Sequence, residues 1–435
     1  NGVNYVVVPD IPSTIDGTSL HFRSLLDPTG VRILEQNYQY DLVSQAKLLE
    51  KYLGKEIEFI RLNEETKQEY TVKGKLLATG FGGRGGGGIV AEINGKVEID
   101  PAGRMVLPSL PEGLILKPRL RWMVDNSKAG IHKIELSYLA GGLSWSADYV
   151  ALLSKNDDRL DLTGWVTLSN NSGTAFPNAG LKLVAGDVNI IREAMALDNR
   201  MMKSTMAEVN APQFEQSELF EYKMYTLQRK TDLHPNETKQ IELVSGRDVA
   251  SKKMFIYDGV ADQWRYWWNN PSYRNQQTFG EVSNTKVGMY VTFRNDKKTG
   301  LGIPLPKGKV RVYKLDEDGK EQFIGEDRID HTPKDEEIRL YLGNAFDVVG
   351  ERAQTDFKSM ASGRVVEETI RIKIRNHKDE PVSVQVYEHP WRWNEWEITK
   401  KSMEFEKVDQ STIRFGVTVP KDAETTVTYT IRYSW

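Results

Sequence analysis

The stretch from Ser137 to Asn189 constrains the fold most, because apolar and polar residues alternate there in short runs that turn residues interrupt. Val166 and Leu168 belong to one run, Asn170–Gly173 breaks it, and the period of two resumes at Leu183. Side chains that alternate with this period lie on opposite faces of a β-strand. The stretch therefore predicts a wall of a β-sandwich, and its spacing requires no catalytic group.

An alternating strand that ends in Asn recurs three times, at Val166–Asn170, Val291–Asn295 and Ile372–Asn376. Asn bonds to its own backbone and tolerates the left-handed region, so it suits the end of a strand. Repeated hairpins of this kind favour immunoglobulin-like β-sandwiches. The predicted fold class is all-β and multidomain.

The 435 residues divide into three predicted domains. Residues 1–125 predict a small N-terminal β-barrel or β-sandwich with one helix from Leu42 to Leu53, which a Gly ends. Residues 126–260 predict a central β-sandwich with a Met-rich excursion at 192–212. Residues 261–435 return to strands and predict a C-terminal β-sandwich region.

Composition excludes several classes of function. The chain has no Cys, which excludes thiol catalysis, disulfide bonds and thiolate zinc sites. Its formal net charge of −3 gives no field that would attract nucleic acid, so no nucleic-acid partner is predicted. No run of apolar residues approaches the length of a transmembrane helix, so none is predicted.

Several motifs lie along nearly the whole chain, at Tyr40–Ser44, Gly142–Val150, Asp161–Leu168, Leu183–Val188 and Asp330–Glu336. Together they resemble an uncharacterised family of secreted bacterial proteins, the domain of unknown function four-one-three-nine, also labelled mucoidy-inhibitor-A-like. The resemblance implies soluble β-sandwiches and an export signal. The family has no established activity, so the resemblance implies no site residue.

The beginning of the sequence also suggests export. Asn1 is not an initiator Met, and a strand-like segment follows it directly. We interpret Asn1 as the mature end left by removal of a signal peptide, with a truncated chain as the alternative. The predicted location is extracytoplasmic, either at the cell surface or outside the cell, or in the periplasm.

Two motifs could suggest ligand binding, and each has a simpler interpretation. The glycine run Gly82–Gly88 lacks the Gly-Lys-Ser/Thr ending of a phosphate loop and continues into a strand, so it predicts a hairpin loop. The run Asp316–Gly319 resembles the start of a calcium loop. Asp327 stands where that loop requires Glu, so a turn explains the run better. No cofactor is predicted.

Two further motifs could suggest catalysis. His331 lies among three acidic residues in Asp330–Glu336 and could bind a metal or carry protons, but the same residues suit a turn. Ser144 misses the Gly-x-Ser-x-Gly pattern of serine hydrolases because Ser146 replaces the last Gly. No catalytic, cofactor-binding or metal-binding residue is predicted, and the protein is expected not to be an enzyme.

Ten residues in three short stretches are the predicted interaction residues. They are Trp264, Trp267, Trp268, Trp391, Trp393, Trp396, Met195, Met201, Met202 and Met206. The indole rings could stack on sugars, bury against another subunit, or pack between domains of the same chain. The Met-rich stretch suits a docking arm, because unbranched Met side chains adapt to irregular partners.

These observations predict an exported, non-enzymatic structural protein of the cell surface or the extracellular space. It is expected to self-associate into an oligomer or filament through β-strand and aromatic contacts, so its main partner is itself. The end strands Val3–Val8 and Val427–Trp435 are the predicted contacts, because either could complete a neighbour's sheet. The alternatives are a module that binds envelope polysaccharide and a hydrolase with an unrecognised site around His331.

Overall fold

The computed structural model describes residues 2–80, 88–186, 213–219, 222–260, 264–278 and 283–435. These residues are mostly β-strand with two short α-helices, which confirms the predicted all-β class. The chain divides into two compact units, each discontinuous in sequence. Unit 1 consists of Asn1–Ser144, Ser169–Pro177 and Asp232–Thr238, and unit 2 consists of Trp145–Leu168, Asn178–Thr231 and Lys239–Trp435. The three consecutive domains and the immunoglobulin-like detail stay predictions.

The strands are numbered in chain order. The first ten are β1 (Gly2–Pro9), β2 (His21–Ser24), β3 (Val31–Gln39), β4 (Glu56–Leu62), β5 (Glu69–Thr79), β6 (Ile89–Ile93), β7 (Lys96–Ile99), β8 (Arg104–Val106), β9 (Arg119–Asn126) and β10 (Ile134–Ser137). The next nine are β11 (Leu143–Leu153), β12 (Arg159–Asn170), β13 (Phe176–Ala179), β14 (Lys182–Ala185), β15 (Phe214–Leu219), β16 (Tyr222–Leu227), β17 (Thr231–Leu233), β18 (Glu237–Asp258) and β19 (Lys286–Arg294). The last nine are β20 (Gly308–Leu315), β21 (Glu321–Ile329), β22 (Glu337–Met360), β23 (Val365–Asn376), β24 (Val382–Glu388), β25 (Trp396–Lys401), β26 (Glu406–Asp409), β27 (Thr412–Val419) and β28 (Ala423–Ser434). The α-helices are α1 (Gln45–Tyr52) and α2 (Trp264–Trp267).

Unit 1 contains a three-stranded sheet in the order β1-β9-β3 and a five-stranded sheet in the order β7-β6-β5-β4-β8. Leu120 and Trp122 of β9 are fully buried in the core of the first sheet. Helix α1 covers the second sheet with Leu49 and Tyr52. Its predicted position is confirmed, although it begins later than expected because Ser44 caps it with its side-chain hydroxyl. None of the described helices has the length and hydropathy that crossing a membrane requires.

Unit 2 contains a sheet that curls back on itself, which we call the rolled sheet. Its strands lie side by side in the order β21-β20-β11-β12-β18-β19-β22, and β11 runs parallel to β20. The two outer strands approach each other, since the backbone N–H of Tyr341 on β22 donates to Asp327 Oδ2 on β21 at 2.7 Å. Tyr149, Val312 and Leu340 are fully buried in this layer.

The C-terminal part of unit 2 is a β-sandwich. The long strand β22 continues from the rolled sheet into the series β22-β23-β28-β25, while β24 pairs with β18 and β27. Ile370 and Ile372 of β23 share one hydrophobic core with Val384 of β24 and Phe415 of β27. Each of these four side chains is at most 1% exposed, so the two layers are joined by a continuous apolar interior.

The Asn residues at the ends of three strands are buried and form hydrogen bonds with neighbouring segments. Asn170, Asn295 and Asn376 are 2%, 0% and 0% exposed. Each side-chain amide donates to carbonyl oxygens of two or three residues in loops or at strand ends, at 2.7–3.4 Å: Thr174, Leu233 and His234; Ile303 and Pro333; and Glu380, Val419 and Pro420. Asn170 and Asn376 also accept from the backbone N–H two residues later, which is the local bond expected of Asn at a strand end.

Candidate self-association edges and aromatic cluster

Strand β1 lies at the edge of its sheet. It pairs with β9 along its whole length, from Gly2 opposite Asn126 to Pro9 opposite Arg119, and no described strand pairs with its other side. Backbone N–H and C=O groups on an open edge can pair with a strand of another chain. Among the described strands, one side of β1 is therefore without a pairing partner.

The outward face of β1 is apolar. Val3, Tyr5 and Val7 are 57%, 63% and 48% exposed, whereas the alternate residues Val6 and Val8 pack against the core beneath the sheet. Open edges are usually protected by charged side chains or bulges. Strand β1 has no charged residue, and its pairing with β9 shows no register shift.

The apolar residues of this outward face are concentrated at the open edge. On β9, Arg121 and Asp125 lie opposite Val7 and Val3, and the Arg121 guanidinium lies 4.6 Å from the centre of the Tyr5 ring. The adjoining positions of β3 include exposed Arg32, which pairs with Asp125. A partner strand alongside β1 would thus meet apolar side chains first.

Strand β7 is a second edge of unit 1 with a similar pattern. It pairs with β6, and no described strand pairs with its other side. Val97 and Ile99 are 64% and 74% exposed, while Glu98 between them binds Arg61 on the opposite face. Among the described strands of unit 1, β1 and β7 are therefore both sheet edges that carry exposed apolar side chains.

The prediction that Val427–Trp435 forms a free edge strand is wrong. Strand β28 contains most of this segment and pairs with β23 on one side and with β25 on the other. Its inward residues Val427, Tyr429, Ile431 and Tyr433 are at most 3% exposed. The reason is that β25 returns to the sheet from a distant part of the sequence and occupies the edge.

The predicted Trp residues make contacts within unit 2. The Trp264 ring stacks on the imidazole of His389, with a centroid distance of 4.2 Å and an interplanar angle of 5°. Trp267 meets Trp391, which is 2% exposed, edge to face at 6.4 Å. These rings join the segment 264–278 to the loop that follows β24.

The other predicted indole rings differ in exposure. Arg274 lies 3.5 Å from the centre of the Trp393 ring, and Trp396 Nε1 donates to the carbonyl oxygen of Gln410 at 3.0 Å. Trp268 is 42% exposed, and its neighbour Tyr266 is 83% exposed. The most exposed aromatic rings in and next to helix α2 are therefore those of Tyr266 and Trp268.

Unit 2 contains two buried ion pairs, Arg352–Glu388 and Arg392–Glu368. Arg352 Nε donates to both carboxylate oxygens of Glu388 at 3.0 Å, and the Tyr429 hydroxyl donates to Glu388 Oε2. Burial opposes the charge on Arg352, but the carboxylate of Glu388 outweighs that effect and raises the pKa of the guanidinium. Burial also raises the pKa of Tyr429 well above its usual value. No local sequence pattern could predict this pair, because its members lie 36 residues apart along the chain.

The second ion pair fixes the segment that carries the Trp residues. Arg392 is 1% exposed and donates from Nε to Glu368 at 3.0 Å. Its Nη1 faces the carbonyl oxygens of three residues at 3.0–3.3 Å: Tyr273, Arg274 and Gln276. One guanidinium thus binds both strand β23 and the segment 264–278.

His389 lies in a chain of polar contacts whose order is that of a hydrolase triad. Its Nε2 is 2.8 Å from Asp258 Oδ2, and its Nδ1 is 3.5 Å from Thr412 Oγ1. However, His389 and Thr412 are 7% and 8% exposed, and Trp264 covers one face of the imidazole. A substrate therefore has little access to His389 and Thr412 in this structure. The hydrogen bonds with Asp258 and Thr412 instead fix the orientation of the imidazole on which Trp264 stacks.

Of the other residues considered from the sequence, Ser144 lies in β11, and His331 and Asp316 lie in segments between strands. His331 Nδ1 accepts from the backbone N–H of Lys307 at 3.2 Å, and Asp316 Oδ1 accepts from the backbone N–H of Lys320 at 2.8 Å. Within the described ranges no three His, Asp or Glu side chains are grouped to hold a metal ion. Residues 81–87 and all four predicted Met residues lie outside the described ranges.

Comparison with known proteins gives no relative: no family model, curated protein or solved structure matches the chain. Membership of the uncharacterised family, the location and the absence of enzymatic activity therefore stay predictions. The arguments about function below rest on the residues and contacts of this chain alone.

Proposed function

We propose that this chain is an exported, non-enzymatic structural protein that self-associates at the cell surface or outside the cell. The contact is the open side of β1, which joins the sheet of a second copy. The observation that carries this proposal is that β1 combines an unpaired edge with three exposed apolar side chains, Val3, Tyr5 and Val7.

Strand addition would satisfy the backbone groups of β1 and bury its apolar side chains together. The main-chain hydrogen bonds supply affinity, and the alternate side chains supply specificity. Because Val3, Tyr5 and Val7 are about half exposed, covering each contributes roughly 1 kcal/mol. Contributions of this size require several such contacts for a stable complex, so the full length of β1 must take part.

The favoured occupant is a second copy, because unit 1 itself offers two complementary edges. Antiparallel pairing of β1 with β1 about Tyr5 would place Val3 opposite Val7 and produce a closed dimer. Pairing of β1 with β7 would place Val97 and Ile99 beside Val3, Tyr5 and Val7 and join copies head to tail, in a closed ring or an open filament. Both arrangements use the same surface of β1.

Export is supported by two features of the sequence. The chain has no Cys, and its 435 residues can form a core large enough to be stable without disulfide bonds. Such a composition is compatible with an oxidising compartment outside the cytoplasm. The motifs that resemble the secreted bacterial family add the expectation of an export signal.

The test compares assembly of the wild type and of the double variant Val3→Lys/Val7→Lys. Size-exclusion chromatography with light scattering and electron microscopy should show oligomers or filaments for the wild type and monomers for the variant. The matched control is Val408→Lys in unit 2, because Val408 is 46% exposed and receives the same substitution. It should assemble like the wild type.

A second double variant, Val97→Lys/Ile99→Lys, distinguishes the two arrangements. It should prevent assembly only if β1 pairs with β7, and leave dimers intact if β1 pairs with β1. A wild type that stays monomeric at high concentration, or a Val3→Lys/Val7→Lys variant that assembles normally, would refute the proposal.

A second candidate function is binding of envelope polysaccharide, and the exposed neighbours Tyr266 and Trp268 favour it. Exposed aromatic rings offer apolar faces on which sugars can stack. Affinity electrophoresis in polysaccharide gels should then show retardation that Tyr266→Ala/Trp268→Ala abolishes. Equal retardation of the variant would argue against this site.

A further inference from the structure

A cavity of about 190 Å³ lies at one end of the rolled sheet. Leu153, the last residue of β11, and Val291 of β19 form part of its wall and are each 2% exposed. Met289, Ile324 and Leu342 complete an aliphatic lining. The cavity therefore offers an apolar surface.

Two lysines and one aspartate place charge at this apolar cavity. Lys253 Nζ lies 2.9 Å from Asp157 Oδ2, and Lys314 Nζ donates to Asp157 Oδ1. The side chains of Lys253, Lys314 and Asp157 are 34%, 30% and 16% exposed. Two ammonium groups and one carboxylate leave one positive charge in excess.

The strands direct both lysines toward the inside of the sheet. Alternate residues share a face of a strand, so Lys253 shares its face of β18 with Phe255, and Lys314 shares its face of β20 with Val312. Phe255 and Val312 are buried. Both lysines are partly withdrawn from water, and Asp157 balances only one of their two charges.

The ammonium groups also have donors to spare. Each ammonium has three N–H donors, and Asp157 engages one on each lysine. Burial raises the pKa of Asp157, but the hydrogen bonds from Lys314 and Lys253 outweigh that effect and lower it. Asp157 therefore stays ionised and holds the two lysines side by side, with donors left for a second anion.

We propose that this cavity binds a small monocarboxylate with an apolar body. The ligand carboxylate would bind Lys253 and Lys314, and its hydrocarbon part would lie against Leu153, Met289 and Leu342. A monoanion matches the single excess positive charge. The volume is below the roughly 300–1,000 Å³ of common ligand pockets, which favours a short-chain acid over a lipid. This site is separate from the self-association edge.

Calorimetric titration of the full chain with hexanoate tests the proposal, with hexanol and inorganic phosphate as probes of the apolar and anionic halves. Hexanoate should bind at least about tenfold more tightly than either probe, since charged hydrogen bonds and apolar contact act together. Equal binding of hexanol would show an apolar void only, and equal binding of phosphate would show a charge site only. Either result, or no binding of hexanoate, overturns the proposal.

Variants locate the site. Lys253→Met and Lys314→Met should each weaken hexanoate binding about tenfold or more. The control is Lys252→Met, because Lys252 lies next to Lys253 on the opposite face of β18. A Lys252→Met variant that loses binding equally, or lysine variants that retain it, would contradict the assignment.

If a lysine variant fails to fold, a measurement on the wild type tests whether hexanoate binds in this cavity. Hexanoate should shift the ¹³C-methyl resonance of Met289, which lines the cavity, and leave that of Met254 unchanged. Met254 is the control because it lies on the opposite face of β18 from Lys253. An unmoved Met289 resonance at saturating hexanoate would refute the site.

Discussion

The ion pair between Arg352 and Glu388 gives the sharpest test of how unit 2 is stabilised. Both side chains are at most 3% exposed, and the guanidinium and the Tyr429 hydroxyl both bind the carboxylate. Replacing Glu388 by Leu removes the carboxylate that accepts both hydrogen bonds from Nε of the buried guanidinium. The expected loss in the free energy of unfolding is about 3–5 kcal/mol.

Removing both charges should cost much less than removing one. In the double variant Arg352→Met/Glu388→Leu neither charge of this pair remains, and the main loss is the acceptor of the Tyr429 hydroxyl, worth about 1–3 kcal/mol. Adding Tyr429→Phe removes that unsatisfied donor as well. The triple variant should therefore approach the stability of the wild type.

Urea denaturation followed by Trp fluorescence measures these differences, because nine of the ten Trp residues lie in unit 2 and only Trp122 lies in unit 1. The double-mutant cycle isolates the coupling between Arg352 and Glu388, which should exceed about 2 kcal/mol. Additive losses, with the double variant as unstable as the two single variants together, would show that the two charges do not stabilise each other.

Three further predictions concern other contacts. Asn376→Ala should lower the free energy of unfolding by about 2–4 kcal/mol in urea, because several buried hydrogen bonds are lost, whereas Ala at exposed Asn394 should change it little. Arg392→Met should release the segment 264–278 and accelerate tryptic cleavage there, while Met at the more exposed Arg414 should not; equal cleavage would show that Arg392 does not hold the segment. Stability should fall as the pH rises above about 10, because burial raises the folded-state pKa of several Tyr residues while the unfolded chain ionises at the ordinary value, at about 1.4 kcal/mol per pH unit for each group. These residues are Tyr149, Tyr225, Tyr257, Tyr429 and Tyr433. Ultraviolet absorbance of tyrosinate should show that these five Tyr residues ionise only together with unfolding, and ionisation of all Tyr residues near pH 10 in the folded protein would contradict this.

Features that depend on local sequence could be predicted. Alternation in β12 matches a strand whose residues are buried and partly buried in turn, and the spacing of apolar residues around Leu49 matches helix α1. The Asn residues do end strands. Their burial could not be predicted, because the loops that Asn170 and Asn376 clasp include segments more than 40 residues away.

Features that depend on long-range pairing could not be predicted. Arg352 and Glu388 are brought together by β22 and β24, which pair with different strands. Asp157 meets Lys253 and Lys314 only because the rolled sheet places the connection between β11 and β12 beside β18 and β20. Charged residues are common in any sequence, so those few that are buried and paired have no local signature. Their positions follow from strand order, which the alternation pattern does not determine.

The two end strands show how far a local pattern can be interpreted. Both alternate, but β28 carries Thr and Arg between its apolar residues, as suits a strand with one covered face. In contrast, β1 contains three consecutive Val residues, Val6 to Val8, a composition typical of a strand with both faces covered. The structure covers the face that carries Val6 and Val8. It leaves the other face exposed, with Val3, Tyr5 and Val7. This mismatch between an apolar face and its missing cover is the reason to expect a second chain at β1, and β28, whose edges are both paired, gives no such reason.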